Sequence, residues 1–532
     1  MRETGSRTGL RLLRRPPVDN EITLDPAQSS VLTTSGRLAI YGGPGTGKTT
    51  TLIRSALARV ESGFDPSSLL ILTYGRERAS DLRDEIARGA QSTSFEALAR
   101  TFHSLAFSIL NEKLRPEDPT YILISGAEQD AYIKDLLSND HVEIDWHADL
   151  DQARKTRGFI REVRDLISRA TEMDLTPKAL QSLGAELGEK YWDGGAKFWA
   201  SYYRSMQLRN YSVTDSPIRI DPSSVIVEAI DRLKSDPELL ESYRARYSLI
   251  LIDEFHESDQ SQRELLTLIA GGEVQLYLDP DSAIGRFRGA DPDGVAMWLK
   301  EFVDSSLHLP TTYRSTPAIT ELGLEIASRL RSHNLARKRA AAPSNRQSGT
   351  IDISKFASQS EAANYIAYQF RKAHLEDGLP WSEMAILVRT PGHQVSAIAR
   401  ACALNGIPLS IDSQAAALAE NPAVRPILDI AQLVVTPELL TTSHWPKIEE
   451  LLLSEFCGAD AISLRQIRMA LSKSRTEGDL RSTTQMMIDA ITDPITDPST
   501  GLEDSQIIPL LRLRELLNAG RNKRRDGLRR NR

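Results

Sequence analysis

The sequence predicts an α/β protein in which a parallel sheet is interrupted by a mostly helical insertion. Short apolar runs that alternate with helical patterns are typical of strands buried in parallel sheets. Four such runs occur, at residues 38–41, 69–73, 248–252 and 274–278. The long interval between the second and third runs is rich in helix formers and charges. Within it, residues 149–170 repeat apolar positions about every 3.6 residues, which predicts a helical domain inserted into the sheet.

Composition excludes several classes of protein. The 532 residues are enough for about three or four domains with a sizeable core. With 65 Lys and Arg against 72 Asp and Glu, the net charge is -7, so any contact with nucleic acid must come from a local groove. Cys402 and Cys457 form no C-x-x-C pair, which argues against a zinc ribbon, an iron-sulfur cluster or a disulfide framework. No apolar run approaches the ~20 residues of a membrane span, and the first 15 residues lack the apolar stretch and cleavage site typical of a signal peptide, so we expect a cytoplasmic protein with no membrane contact.

The first apolar run leads into a glycine-rich turn that matches the P-loop pattern G-x-x-x-x-G-K-[ST]. In such a loop, glycines let backbone N–H groups converge on phosphate oxygens, and the following helix offers its positive end. Lys48 adds a point charge, and the Thr49 hydroxyl can ligate Mg²⁺. The pattern therefore predicts a site for a nucleoside triphosphate and Mg²⁺, made by Gly42, Gly43, Pro44, Gly45, Thr46, Gly47, Lys48, Thr49 and Thr50.

The third apolar run ends in two acids, Asp253 and Glu254. At the carboxyl end of a strand in the same lobe as a P-loop, Asp253 can hold the water shell of Mg²⁺. Glu254 beside it can take a proton from an attacking water. The pair predicts hydrolysis of the bound nucleotide, with Asp253 as a metal ligand and Glu254 as the general base.

Further motifs in a fixed order resemble those of superfamily 1 DNA helicases of the UvrD/Rep/PcrA type, over roughly residues 20–415. Residues 24–28 resemble the motif that uses a glutamine, here Gln28, to pair with the edge of adenine. Residues 312–316 resemble the motif that opens the second lobe; it implies that Tyr313 stacks on adenine and Arg314 reaches the γ-phosphate. The resemblance implies RecA-like P-loop NTPase lobes, ATP and Mg²⁺ as cofactors, and Glu254, Arg314 and Lys48 as the catalytic set.

Three other segments resemble those that contact single-stranded DNA or link the nucleotide to the DNA track: residues 72–75, 101–104 and 279–290. The resemblance implies DNA as partner and translocation from 3′ to 5′ in repair or recombination. Phenylalanines in a groove could stack on bases irrespective of sequence, although for either phenylalanine taken alone the frequent burial of this residue type favours a place in the core. The DNA-contacting residues implied are Thr73, Thr101, Phe102, His103, Phe287 and Arg288.

The same resemblance implies a domain order. Residues 1–105 and 223–308 are expected to form the first lobe, around a helical insertion at 106–222. An incomplete second lobe at 309–414 is expected to contain strands at 350–354 and 384–389 joined by a helix at 360–374. A partial helical accessory region is expected at 415–520. The basic residues 521–532 are predicted to be disordered, either as a solvated tail or as a phosphate-binding one.

Departures from the family pattern predict an alternative function. Ser282 stands where the family has a glutamine that senses the γ-phosphate, Gly285 replaces an aromatic residue, and His256 follows Asp-Glu-Phe in place of glutamine. The family's late motifs are not found, so the chain is expected to stop inside the second lobe, to hydrolyse ATP slowly and not to unwind processively. A narrower resemblance to the A subunit of actinobacterial AdnAB-like helicase-nucleases implies a bacterial protein with a partner subunit. The alternative is a nucleotide-gated DNA-binding subunit of such a complex, with little motor activity.

Overall fold

The computed structural model describes residues 23–90, 99–112, 115, 120–138, 144, 146–211, 217–330, 342–343, 349–389, 392–410, 424–454, 456–476, 479, 481–493 and 504–530. The chain divides into two compact units, residues 1–352 and 353–532. The finer domain boundaries given above stay predictions.

One large parallel sheet organises the first unit. The strands found in the described residues are β1 Arg37–Tyr41, β2 Leu69–Thr73, β3 Ala99–Thr101, β4 Tyr121–Leu123, β5 Ile218–Ile220, β6 Leu249–Ile252, β7 Glu273–Leu278, β8 Ser305–His308, β9 Thr311–Thr312 and β10 Ala342–Pro343. Six of them lie in the order β3-β2-β6-β7-β1-β8, while β4 pairs with β5 and β9 pairs with β10. The four strands predicted from apolar runs are confirmed as β1, β2, β6 and β7, which are the four central strands of the sheet.

Helices cover both faces of the sheet, which explains why its central strands are buried along nearly their whole length and are mostly apolar. One apolar core lies between the sheet and the helices α1, α2 and α3. The other lies between the sheet and the helices α4, α9, α10, α11 and α12. The helices of the first unit are α1 Pro26–Thr33, α2 Lys48–Glu61, α3 Arg76–Ala90, α4 Phe102–Asn111, α5 Gly126–Leu137, α6 Arg157–Glu172, α7 Pro177–Leu187, α8 Trp192–Tyr211, α9 Ser224–Ser235, α10 Pro237–Arg246, α11 Gln260–Ile269, α12 Pro292–Phe302 and α13 Pro317–Ser328.

A separate core holds the helical insertion together. It joins α5, α6, α7 and α8, and the Phe198 and Tyr202 side chains are fully buried in it. The helix predicted at residues 149–170 begins later than expected, at Arg157. The Thr156 hydroxyl accepts the Phe159 N–H at 3.2 Å and so caps the helix at this point, while short 3₁₀ turns precede it.

The second unit is helical in its described part. The helix predicted at 360–374 is confirmed as α14. The strands predicted at 350–354 and 384–389 are wrong, because neither segment is hydrogen-bonded into a sheet. Ile353 is 90% exposed and Leu387 is 97% exposed, so these apolar runs lack the neighbour that a strand needs. The helices of this unit are α14 Gln359–Glu376, α15 Gly392–Leu404, α16 Arg425–Val435, α17 Trp445–Leu452, α18 Ala461–Lys473, α19 Thr483–Thr492 and α20 Asp504–Arg530.

The basic tail also differs from expectation. Residues 521–530 continue α20, so the prediction of disorder is wrong for them. Leu510, Leu513 and Leu517 anchor this helix in the core formed with α16 to α19, and the basic residues extend it beyond that core. Among the described residues, no helix is long and apolar enough to cross a membrane.

Candidate nucleotide site and the adjoining surface

The loop between β1 and α2 has the shape that its glycines predict. Gly45 and Gly47 have φ angles of 77° and 81°, a left-handed conformation that favours glycine. A Cβ atom at Gly45 would lie 2.7 Å from Arg314 Cβ, so the loop also needs glycine for space at this position. Lys48 is the first residue of α2, and its Nζ donates to Gly42 O at 2.9 Å and to Gly43 O at 3.2 Å. The loop therefore gathers an ammonium group and a helix N-terminus at one point.

The acidic pair lies beside this loop, at the end of β6. Asp253 is fully buried, and the Thr49 hydroxyl lies 3.2 Å from its Oδ2. Burial and the neighbouring Glu254 charge raise the pKa of Asp253, while Arg78 and the Thr49 hydroxyl oppose that rise. Thr49 and Asp253 are the two predicted metal ligands. They lie close together because the start of α2, which carries Thr49, is next to the end of β6, which Asp253 follows.

Glu254 has an unusual backbone and a defined charge state. Its φ of 54° lies in the left-handed region, which residues other than glycine seldom adopt. Residues with such backbone conformations cluster at functional sites. Burial acts to raise the pKa of its carboxyl, but the contact with His256 and the charges of Lys48 and Arg78 outweigh burial, so the pKa is lowered. Glu254 is therefore a carboxylate at neutral pH, as a general base must be.

His256 connects Glu254 to the segment that follows β7. Its Nδ1 accepts the Asp279 N–H at 3.0 Å, which leaves the ring proton on Nε2. Nε2 lies 3.1 Å from Glu254 Oε2, and the ring is only 1% exposed. The Asp279 carboxylate in turn accepts the Ser282 hydroxyl at 2.5 Å. A chain of polar contacts thus runs from Glu254 to Ser282; its link at His256 Nε2 is a close approach without a hydrogen bond, and the other links are hydrogen bonds.

The remaining nucleotide-side residues border the same loop. A cavity of about 210 Å³ is lined by residues 44–50, Glu254, Ser282 and Arg314. The Gln28 amide donates to Thr46 O at 3.3 Å and accepts the Asp25 N–H at 3.1 Å, so both of its ends are engaged by protein. The Tyr313 hydroxyl donates to Asp25 Oδ2 at 2.6 Å, which ties the ring to the start of α1.

The polar groups of this cavity suit a magnesium nucleotide better than a bare metal ion. In the described residues, no cluster of three or more His, Cys, Asp or Glu side chains could hold a metal on its own. Mg²⁺ is usually held by one or two protein oxygens together with phosphates and water. Thr49 and Asp253 supply such oxygens beside a cavity that is otherwise built for phosphate, so the residues fit ATP with Mg²⁺.

The predicted DNA-contacting residues do not all reach the surface. Phe287 is 74% exposed, and His103 is also exposed. Phe102 is 1% exposed and packs on Tyr74 with ring centres 5.4 Å apart, so its prediction as a base-stacking residue is wrong; it belongs to the core. The Thr73 side chain is likewise buried, and the Thr101 hydroxyl caps α4 by accepting the Ser104 N–H at 3.1 Å. The Arg288 side chain lies outside the described residues.

Sequence reasoning missed the supports of the segment after β7. Glu257 accepts the N–H groups of Ile284 and Gly285, both at 2.8 Å, and a side chain at Gly285 would collide with this carboxylate. A side chain at Gly289 would collide with Arg169 and Glu172 of α6, so the helical insertion lies directly against this loop. No spacing in the sequence signals these contacts, because the partners come from distant elements.

The sequence matches one known protein family. Residues 24–302, just over half of the chain, match the family described as UvrD/REP helicase N-terminal domain. The chain belongs to the UvrD/REP helicase family. This match spans the P-loop, Asp253, Glu254 and the segment after β7, which confirms the resemblance inferred from the motifs.

Individual relatives in the UvrD/REP family give the extent of the similarity. The chain is 26% identical over 369 residues to an ATP-dependent DNA helicase PcrA of Staphylococcus epidermidis, which covers 68% of this chain and 47% of the relative. A PcrA protein of Staphylococcus aureus is 25% identical over 368 residues, with the same coverage. The chain therefore spans about half the length of the curated relatives that it matches.

The buried carboxyl group of Glu172, which contacts Arg169 next to Gly289, makes the stability of the fold depend on pH. Burial raises the pKa of Glu172 from 4.5 to about 8, against the opposing charge of Arg169. The folded state holds the proton of the Glu172 carboxyl group more tightly than the unfolded chain does. The contribution of this group to the free energy of unfolding therefore falls as pH rises from 4.5 to about 8. We expect the melting temperature to fall less between about pH 6 and pH 9 in Glu172→Gln than in the wild type. Glu162→Gln, an exposed change on the same helix, is the control, and identical pH profiles in all three proteins would contradict the assignment.

Proposed function

We propose that this chain is an ATP-dependent DNA motor that couples ATP hydrolysis to movement on single-stranded DNA. The observation that carries the proposal is the convergence of Lys48, Thr49, Asp253, Glu254 and Arg314 around one cavity beside the P-loop. Such a set binds a triphosphate, holds its metal and activates water. The name of the relatives, ATP-dependent DNA helicase, supports DNA as the track. The 3′-to-5′ direction and a role in repair or recombination are the finer parts of the proposal, taken from the family resemblance.

Each residue has a stated part in hydrolysis. Backbone N–H groups of Gly43 and of residues 45–48, together with the Lys48 ammonium group, orient the phosphates at the start of α2. Thr49 and Asp253 would hold Mg²⁺, which when bound would supply positive charge next to the transferring phosphoryl group. Glu254 accepts the proton of the attacking water, and Arg314 offers a second positive charge to the γ-phosphate.

Coupling to DNA is proposed to run through the segment after β7. The polar chain from Glu254 through His256 and Asp279 ends at Ser282, which borders the nucleotide cavity. Five residues further along, Phe287 is exposed and offers a flat apolar ring to a base. A change at the γ-phosphate can therefore alter the contact with DNA within one short segment, as in hinge-type switches.

Phe287→Ala tests the DNA face. We expect affinity for single-stranded DNA to fall by about 5- to 150-fold, which corresponds to ~1–3 kcal/mol of stacking, with an unchanged melting temperature because the ring is exposed. Binding of a labelled oligonucleotide should also weaken steeply with salt. Phe102→Leu is the contrasting variant, since it should lower the melting temperature instead. Unchanged DNA affinity in Phe287→Ala would mean that the groove lies elsewhere.

Two observations favour a second function. In this alternative the chain is a nucleotide-gated DNA-binding subunit that works beside a complete motor. Ser282 is too short to reach far into the cavity while its hydroxyl is held by Asp279, and Gly285 has no room for the aromatic residue of the family pattern. DNA-stimulated ATP turnover by the purified chain separates the two functions. Stimulation by DNA supports the motor, whereas nucleotide-dependent DNA binding without turnover supports the subunit.

A further inference from the structure

Arg78 contacts the acidic pair of Asp253 and Glu254 at Asp253, and the mechanism proposed above gives this arginine no role. Arg78 Nε and Nη2 lie 3.3 Å and 3.1 Å from Asp253 Oδ2, and both donate to this oxygen. The Asp253 side chain is fully buried, whereas the Arg78 side chain is 35% exposed. The guanidinium group therefore lies between solvent and a carboxylate that solvent does not reach.

The position of Arg78 on its helix is unfavourable without this partner. Arg78 is the third residue of α3, and the N-terminal turn of a helix carries a partial positive charge that repels cations. Asp253 faces the opposite problem, because a buried carboxylate is costly unless it is paired with a positive charge. The contact removes both penalties at once, which makes it a specific ion pair rather than a chance surface contact.

The same carboxylate is the proposed metal ligand. Mg²⁺ brings two positive charges and a tight octahedral shell of oxygens, in which a guanidinium donor cannot take part. With Arg78 bound to Oδ2, a metal ion at Asp253 would face a like charge and would find one of the two carboxylate oxygens already engaged by the guanidinium group. The two cations therefore compete for one carboxylate.

We propose that Arg78 is a built-in competitor of the metal ion: it neutralises Asp253, and a magnesium nucleotide binds by displacing its guanidinium group. This inference rests on the proposed function, since it takes Asp253 as the metal ligand. It assigns Arg78 to the tuning of magnesium-nucleotide affinity and to the stability of the protein in the absence of nucleotide.

Arg78→Gln separates competition from assistance. We expect the affinity for a fluorescent ADP analogue to rise roughly five- to tenfold with Mg²⁺ and to stay unchanged with EDTA, because only the metal-bound ligand meets the competitor. Without nucleotide, the melting temperature should fall, since Asp253 loses its counter-charge, and magnesium nucleotide should restore more of it than in the wild type. Arg88→Gln makes the same change at an exposed position near the other end of α3 and should match the wild type. Arg78→Lys should keep the wild-type magnesium dependence.

Two results would overturn the inference. Weaker binding of magnesium nucleotide in Arg78→Gln, with the EDTA arm unchanged, would show that Arg78 helps to hold the complex. Unchanged binding and melting temperature would show that the ion pair contributes nothing. Failure of the wild type to bind nucleotide in either arm would instead count against the proposed function, and this is distinguishable because the melting temperatures without nucleotide still report on the ion pair.

Discussion

Glu254→Gln is expected to reduce ATP turnover by roughly 10²- to 10⁴-fold, the usual contribution of a positioned general base. The substitution keeps the size and hydrogen-bonding capacity of the side chain and removes the carboxylate that would accept the proton. Nucleotide binding should persist, because Lys48, Thr49 and Asp253 are untouched. Turnover measured at saturating ATP and DNA, together with titration of a fluorescent ADP analogue, gives both quantities for the same preparation.

The control for this variant is Glu61→Gln, the same chemical change at the far end of α2. It should leave turnover and binding at wild-type values. Undiminished turnover in Glu254→Gln would remove Glu254 as the base. The next group to test would then be His256, whose Nε2 lies 3.1 Å away.

Lys48→Ala should weaken binding of ATP with Mg²⁺ by about 10- to 100-fold. A hydrogen bond to a charged group contributes ~1.5–3 kcal/mol, and each 1.4 kcal/mol is a factor of ten in affinity. The Lys48 ammonium group already lies within the loop, bonded to Gly42 O and Gly43 O, so the variant also loosens the loop that surrounds the phosphates. Isothermal titration with a slowly hydrolysed ATP analogue measures the change.

Lys300→Ala removes the same charge from an exposed position in α12 and should bind ATP like the wild type. Melting temperatures of both variants show whether the fold is intact. Equal affinity in Lys48→Ala and the wild type would rule out the P-loop as the nucleotide site, and with it the proposed motor.

The sequence was sufficient where the functional groups are close together in the chain. The P-loop occupies residues 42–49, and its shape follows from glycines that can take φ angles of 77° and 81°. Asp253 and Glu254 come directly after an apolar strand, so parallel pairing brings them to the same edge of the sheet as the loop. Local pattern and sheet topology together were enough to predict that these residues lie close together.

Contacts between distant residues could not be predicted in this way. Arg78 and Asp253 are 175 residues apart, and Tyr313 and Asp25 are 288 apart. Phe102 begins a helix whose buried face is decided by the core of the sheet, so the sequence alone did not show which way its ring points. The strands predicted at 350–354 and 384–389 failed for a related reason, because an apolar run becomes a strand only where a neighbour pairs with it.

The order of strands in the large sheet has a consequence for biosynthesis. Arg37 of β1 pairs with Val274 of β7, and Leu69 of β2 pairs with Leu249 of β6, so the helical insertion separates each early strand from its partner in the chain. At a ribosomal rate of about 5–20 residues per second, β1 waits roughly 10 to 50 seconds before β7 is made. During that interval β1 lacks both of its partner strands and β2 has only the short β3 beside it. Long-range pairing of this kind is slow and prone to aggregation. The nascent chain is therefore expected to need shielding by a chaperone until residues near 280 have left the ribosome.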